Sequence, residues 1–210
     1  AYITMFSDHV GILFFPGDDI YRIIGRISFP LFAFLVAEGF VKTSNEKKYL
    51  SRLFIFGIIA QIPFMYFKFL SGYQLEKLNI LFTLSGGLLL LILIKRKLYF
   101  KIFLVSLLLI IIEGSISFDY GFYGILLILF SYVFIKNKVL GLFLLLFITS
   151  ASSINMDSIA DSSLQVYALL SILPVMFYNG EIGKKVSRWW FYAIYPIHFL
   201  ILALIFHLLL

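Results

Sequence analysis

The chain has no cysteine, which excludes disulfides, thiolate metal sites and a cysteine nucleophile. Charge is scarce as well: Asp, Glu, Lys and Arg together make up 13% of the 210 residues. The three histidines, His9, His198 and His207, stand at no ligand spacing, so no metal is expected. No internal repeat is visible, and with it goes the inverted-repeat signature of many transporters. Nor is any polar stretch long enough for a soluble domain. The longest connection, 150–163, is acidic and short, and reads either as a lid or as a surface loop.

What is present is apolar. Hydrophobic residues make up 62% of the chain, including 25 Phe and 13 Tyr, and the mean hydropathy is +1.03. Soluble globular domains do not reach such values. The sequence therefore reads as all-α: a polytopic membrane helix bundle of about nine transmembrane helices, in a single domain over 1–210. Lipid is its first partner, and no nucleic acid is expected among the others.

Hydropathy and its breaks place the spans at 1–15, 27–41, 49–70, 78–94, 98–112, 121–135, 139–149, 164–178 and 190–210. The first is expected to lack its beginning, since the chain opens at Ala1. The seventh is expected to extend further than drawn or to insert only in part. Most of the 17 Lys and Arg fall after even-numbered spans: Lys42, Lys47, Lys48 and Arg52; Lys95, Arg96, Lys97 and Lys101; Lys136 and Lys138; Lys184, Lys185 and Arg188. Only Arg22, Arg26, Lys68 and Lys77 follow odd ones. The positive-inside rule then puts the N-terminus in the cytoplasm and the C-terminus outside. Within this frame Gly86-Gly87 reads as a close helix contact, and Trp189-Trp190 as an interfacial anchor.

Ionisable groups inside such spans mark sites, because an Asp at a helix centre costs roughly 2.5–3.5 kcal/mol to insert. Asp8 and His9 lie together in the first span. With an ordinary imidazole pKa of about 6.5, His9 is the natural general base. Neighbouring helical residues point about 100° apart, so Asp8 is not expected to orient His9. It is expected to meet Arg22 or Arg26, or to hold His198. Arg22 and Arg26, spaced i, i+4, share one helix face and are able to grip a phosphate or carboxylate. They bind a donor threading deep into the bundle, bind the acceptor, or pair with Asp18, Asp19 or Asp8. For Glu38 the expected partner is Arg52. Gln61 and Asn79 read as interhelical glue ahead of ligand contacts. His198 reads as support for His9 or as an ordinary interhelical bond. Tyr192 and Tyr195 fit packing and a site equally well, and His207 is expected to be incidental.

A resemblance covers nearly the whole chain in order. It runs through Asp8-His9-Val10-Gly11, the stretch Arg22-Ile23-Ile24-Gly25-Arg26-Ile27-Ser28-Phe29-Pro30-Leu31-Phe32-Ala33-Phe34, and Glu38-Gly39-Phe40. It continues through Gln61-Ile62-Pro63-Phe64, Leu78-Asn79-Ile80-Leu81-Phe82-Thr83, Asp119-Tyr120-Gly121, Tyr178-Asn179-Gly180 and Tyr195-Pro196-Ile197-His198. These motifs resemble the TraX family, the membrane proteins that N-acetylate conjugative pilin. They are also similar to a wider group of membrane acyltransferases. The resemblance implies an acetyltransferase using cytosolic acetyl-CoA, with His9 and Asp8 catalytic, set in the cytoplasmic (inner) membrane. The candidates for substrate contacts are Arg22, Arg26, Glu38, Arg52, Gln61, Asn79, Tyr195 and His198. Lys42, Lys47, Arg52, Lys184 and Arg188 are candidates to attract the donor's phosphates. The expected acceptor is the N-terminal amine of a pilin-like or other exported peptide. An exported glycan is the alternative, and a proton-coupled transporter relaying protons through Asp8, His9 and Glu38 is the non-enzymatic one.

Overall fold

A computed structural model describes residues 1–73, 75–152, 164–181 and 187–209. Lys184, the side chain of Arg188 and most of the 150–163 connection lie outside the described residues. The helices are α1 (Tyr2–Phe14), α2 (Asp19–Arg26), α3 (Ser28–Lys42), α4 (Glu46–Leu70), α5 (Ile80–Lys95), α6 (Tyr99–Ser115), α7 (Gly121–Lys136) and α8 (Lys138–Ser152). A 3₁₀ helix (Val166–Ser171), the short α9 (Ile172–Met176) and α10 (Arg188–Leu209) complete them.

Among the described residues three helical stretches are long and apolar enough to cross a membrane: Asp19–Lys42, Glu46–Leu70 and Trp189–Leu209. The remaining described helices are shorter. Where the eighth span was expected, the chain forms a 3₁₀ helix and then five α-helical residues. Pro174 sits in that segment and removes a backbone donor that a continuous helix needs. Conversely, the seventh expected span does extend further than drawn, over Lys138–Ser152.

Arg22 and Arg26 fall in α2, a short helix between the first two apolar spans, and so do share one helix face. The local signals are plain in retrospect: Asp18 caps the helix by accepting from the Ile20 amide at 3.0 Å, Asp19 occupies the first turn and Arg26 the last. α2 doubles back on α1, and two glycines make the approach possible. A Cβ on Gly11 would collide with Tyr21, and one on Gly25 with Asp8.

Helix directions follow from which residues meet. Tyr2 meets Phe191, His9 meets His198 and Phe14 meets Phe206, so α1 and α10 run parallel. Phe56 meets Tyr192 and Phe64 meets Phe199, so α4 joins them. Phe29 meets Tyr120 and Phe40 meets Tyr132, making α3 parallel to α7. A Cβ on Gly124 would meet Thr83, and one on Gly87 would meet Ile128, making α5 parallel to α7. Glu46 reaches Lys95, so α4 and α5 are antiparallel. One set of three helices thus opposes another.

α5 is central and buries Thr83, Leu84, Leu88 and Leu91. Its Gly86-Gly87 pair admits Leu109 and Ile128 at close range, as packing without a hydrophobic drive between helices requires. α6, by contrast, buries only Leu109 and exposes Phe100, Phe103 and Ile111, an apolar outer surface.

Among the described residues the one departure from helix is a two-residue parallel bridge, Lys77–Leu78 (β1) with Ser117–Phe118 (β2). It draws the α4–α5 and α6–α7 connections into the bundle. Gln61 fastens it by donating to the Lys77 carbonyl at 2.9 Å.

Candidate functional site

His9 on α1 and His198 on α10 are joined ring to ring, with His9 Nδ1 and His198 Nε2 2.8 Å apart. Their rings stack at 4.9 Å between centroids, and Phe67 and Phe199 flank His9 at 5.1 and 4.8 Å. His198 is 4% exposed. Its Nδ1 lies 3.2 Å from the Ile194 carbonyl, which can only accept. The proton therefore sits on His198 Nδ1. In a neutral ring His198 Nε2 must then accept, so His9 Nδ1 donates and His9 Nε2 keeps its lone pair. One backbone carbonyl thus fixes the tautomers of both rings.

Beside this pair, Asp8 faces Arg22, with Oδ1 to Nη1 at 3.3 Å. Arg26, one turn further on, is 7% exposed. Together they line a cavity of about 220 Å³ with His9, Lys68, Lys77, Asp119, Tyr120 and Tyr195. Lys68 is held between two rings, 5.4 Å from the centroid of Phe64 and 5.3 Å from that of Tyr73. Asp119 lies in the α6–α7 connection. Burial raises its carboxyl above the usual range, and Lys68, Lys77, Arg26 and Arg22, in that order, pull it back down. Four cations thus act on one carboxylate.

A second cavity, about 400 Å³, opens at the opposite end of the bundle. Phe32, Leu35, Val36, Leu53 and Leu84 give it apolar walls, with Tyr2, Tyr49, Arg52 and Tyr192 among its polar lining. Arg52 donates from Nε to the Tyr192 hydroxyl at 3.4 Å. Ile80 and Tyr195 line both cavities. Tyr195 is 5% exposed, and the Ile80 backbone hydrogen-bonds its phenol. Its ring is a partition.

The remaining site candidates fall elsewhere. Glu38 does not meet Arg52: it accepts from the Tyr178 hydroxyl and pairs with Lys42 Nζ at 2.6 Å. Lys42 is one turn along the same face, so the nearest cation was always local. Lys42 also donates to the Gly180 carbonyl at 2.7 Å. Asn79, fully buried, donates to the Gly57 carbonyl at 2.7 Å and to Gln61 Oε1 at 2.8 Å, and caps α5 by accepting from Leu81. Gln61 and Asn79 therefore join α4 to α5 and do not line the His9 cavity. His207, expected to be incidental, bonds the Tyr66 hydroxyl at 2.6 Å.

Sequence reasoning passed over Lys68, Lys77 and Asp119 as site residues. A lone cation near the end of an apolar helix, and the Asp-Tyr-Gly turn with Tyr120 at φ 66°, were the available signals.

The fold and site define a class: a helical membrane protein with a buried imidazole pair flanked by cavities at opposite ends of the bundle. The chain belongs to the TraX family, whose model, described as TraX protein, matches residues 1–206. It is 28% identical to the probable fimbrial assembly protein FimC, serogroup H1, of Dichelobacter nodosus, covering 97% of this chain and 91% of that protein. A shorter likeness, 39% identity over 30% of this chain and 23% of the relative, links it to the uncharacterized protein RP591 of Rickettsia prowazekii (strain Madrid E). No solved structure matches.

Proposed function

We propose that this chain is an acetyltransferase of the cytoplasmic membrane that moves an acetyl group from cytosolic acetyl-CoA to the N-terminal amine of an exported, pilin-like peptide. One observation carries the reading: two cavities from opposite ends of the bundle meet at Tyr195, beside an imidazole whose free lone pair is fixed by hydrogen bonding. The relative from Dichelobacter nodosus, described as a fimbrial assembly protein, adds to it.

Orientation comes from charge. Lys42, Lys47, Lys48, Arg52, Lys95 and Arg96 gather at the end where the apolar cavity opens, so that end faces the cytoplasm. The opposed helix sets suit nine crossings, with the N-terminus inside and the C-terminus outside. Arg52 and the lysines around it attract the donor's phosphates, and the apolar walls take its flexible arm.

The chemistry at the partition is balanced. His9 Nε2 removes a proton from the acceptor amine, whose nitrogen attacks the thioester carbonyl. A C–N bond forms, the C–S bond breaks, and the proton passes from His9 to the departing thiolate. Tyr195, its oxygen engaged by the Ile80 backbone, keeps its O–H proton to donate to the developing oxyanion. General-base catalysis of this kind contributes about 10²–10⁴-fold.

Reconstitution in liposomes with acetyl-CoA and a pilin-like peptide tests the proposal, with thiol release and peptide mass as readouts. The wild-type chain is expected to acetylate the peptide, and His9→Ala to lose activity while remaining inserted and folded. Equal activity in His9→Ala removes the imidazole from the mechanism. No transfer by the wild type removes the enzyme.

A further inference from the structure

The lining of the His9 cavity is unbalanced. Among the described lining residues Arg22 pairs with Asp8, while Lys68 and Lys77 act together on Asp119, two ammonium groups to one carboxylate beside the imidazole pair. These two ammonium groups are not spread over the surface: Lys68 and Lys77 are both half-buried. Water is largely displaced from such a space, so charge acts there more strongly than on an open face. An ammonium entering alone is repelled. An acceptor that brings its own anion next to the amine is drawn in, and the same positive field favours loss of the amine's proton.

We infer that the acceptor is an acidic peptide end: a free N-terminal amine with an Asp or Glu carboxylate within its first few residues, held by Lys68 and Lys77 while the amine meets His9. The inference rests on the acetyl-transfer reading and names its substrate class. Phe29, Phe64, Phe67 and Ile12 supply apolar walls suited to neighbouring side chains. Among the described lining residues there is no carboxamide of the kind that grips sugar hydroxyls. These features favour a peptide over a phosphorylated glycan. The ring contacts of Lys68 keep its ammonium in place before any ligand arrives.

The test uses the whole chain in lipid nanodiscs and two fluorescent peptides differing only by Glu or Gln near the N-terminus. Binding is read by anisotropy without donor, and transfer separately with acetyl-CoA. The Glu peptide is expected to bind about tenfold more tightly, with the gap shrinking at high salt. The Lys68→Gln/Lys77→Gln variant is expected to close most of it. Equal binding of the two peptides, or a preference unmoved by salt, overturns the inference even if the double variant fails to fold. So does a sugar phosphate that displaces the labelled Glu peptide at lower concentration than unlabelled Glu peptide does. A clear Glu preference without transfer leaves the inference standing and sinks the acetyl-transfer reading; transfer indifferent to the carboxylate does the reverse.

Discussion

His198 is where the reasoning is most exposed. Among the described residues His9 Nδ1 has one acceptor, 2.8 Å away on His198 Nε2. In His198→Phe the ring stack survives and the acceptor is lost. Leaving a buried N–H without a partner costs about 1–3 kcal/mol. His9 escapes that cost by moving its proton to Nε2, the nitrogen that must stay bare. At about 1.36 kcal/mol per decade of rate, kcat falls roughly 5- to 160-fold. The KM for acetyl-CoA stays put, because His198 does not line the apolar cavity. His198→Gln, whose amide oxygen can take the place of the lost nitrogen, restores most of the rate. Nitrogen-15 spectra of labelled histidine supply a readout that mere packing would not move: the His9 proton shifts from Nδ1 to Nε2 in His198→Phe and returns in His198→Gln. Equal activity of wild type and His198→Phe, or a Gln variant as slow as the Phe variant, refutes the account.

Further outcomes follow from particular contacts. Gly25→Ala drives a Cβ into Asp8 and is expected to cost about 1–3 kcal/mol by overpacking; Gly17→Ala, with nothing within 4 Å, is expected to leave thermal unfolding in detergent unchanged. Asn79→Ala removes the amide donor to the Gly57 carbonyl and to Gln61 Oε1, about 0.5–1.5 kcal/mol for each bond, and loses the α5 cap, about 1 kcal/mol more; the same melting assay reads it. Tyr195→Ala joins the two cavities, so acetyl-CoA is expected to hydrolyse without acceptor, as free-thiol release in its absence would report. Tyr195→Phe keeps the partition and is expected to show no such leak.

Much of the architecture was legible because its signals are one-dimensional. Runs of apolar residues marked helices, and Lys and Arg clusters marked which helix ends share a side; the opposed sets, α1, α4 and α10 against α3, α5 and α7, alternate as those clusters require. The ionisable Asp8-His9 step stood out because an apolar setting makes any such group costly. Where hydropathy alone fell short, local chemistry explained it: Asp18-Asp19 and Arg26 sit at the ends of a short helix that lies between two apolar spans. Glu38 took the lysine one turn away in place of the arginine across a loop.

The sequence by itself determined the membrane class and the helical fold, and singled out His9 as the candidate centre, since hydropathy, charge and backbone capping act along the chain. Only the tertiary structure decided that His9 meets His198, 189 residues away, that Tyr195 divides two cavities, and that Lys68 and Lys77 join the arginines around one of them. Those pairings depend on how each helix is rotated about its axis. Helices apolar on every side, such as α5, carry no stripe that fixes that rotation in advance; shape against neighbouring helices sets it instead.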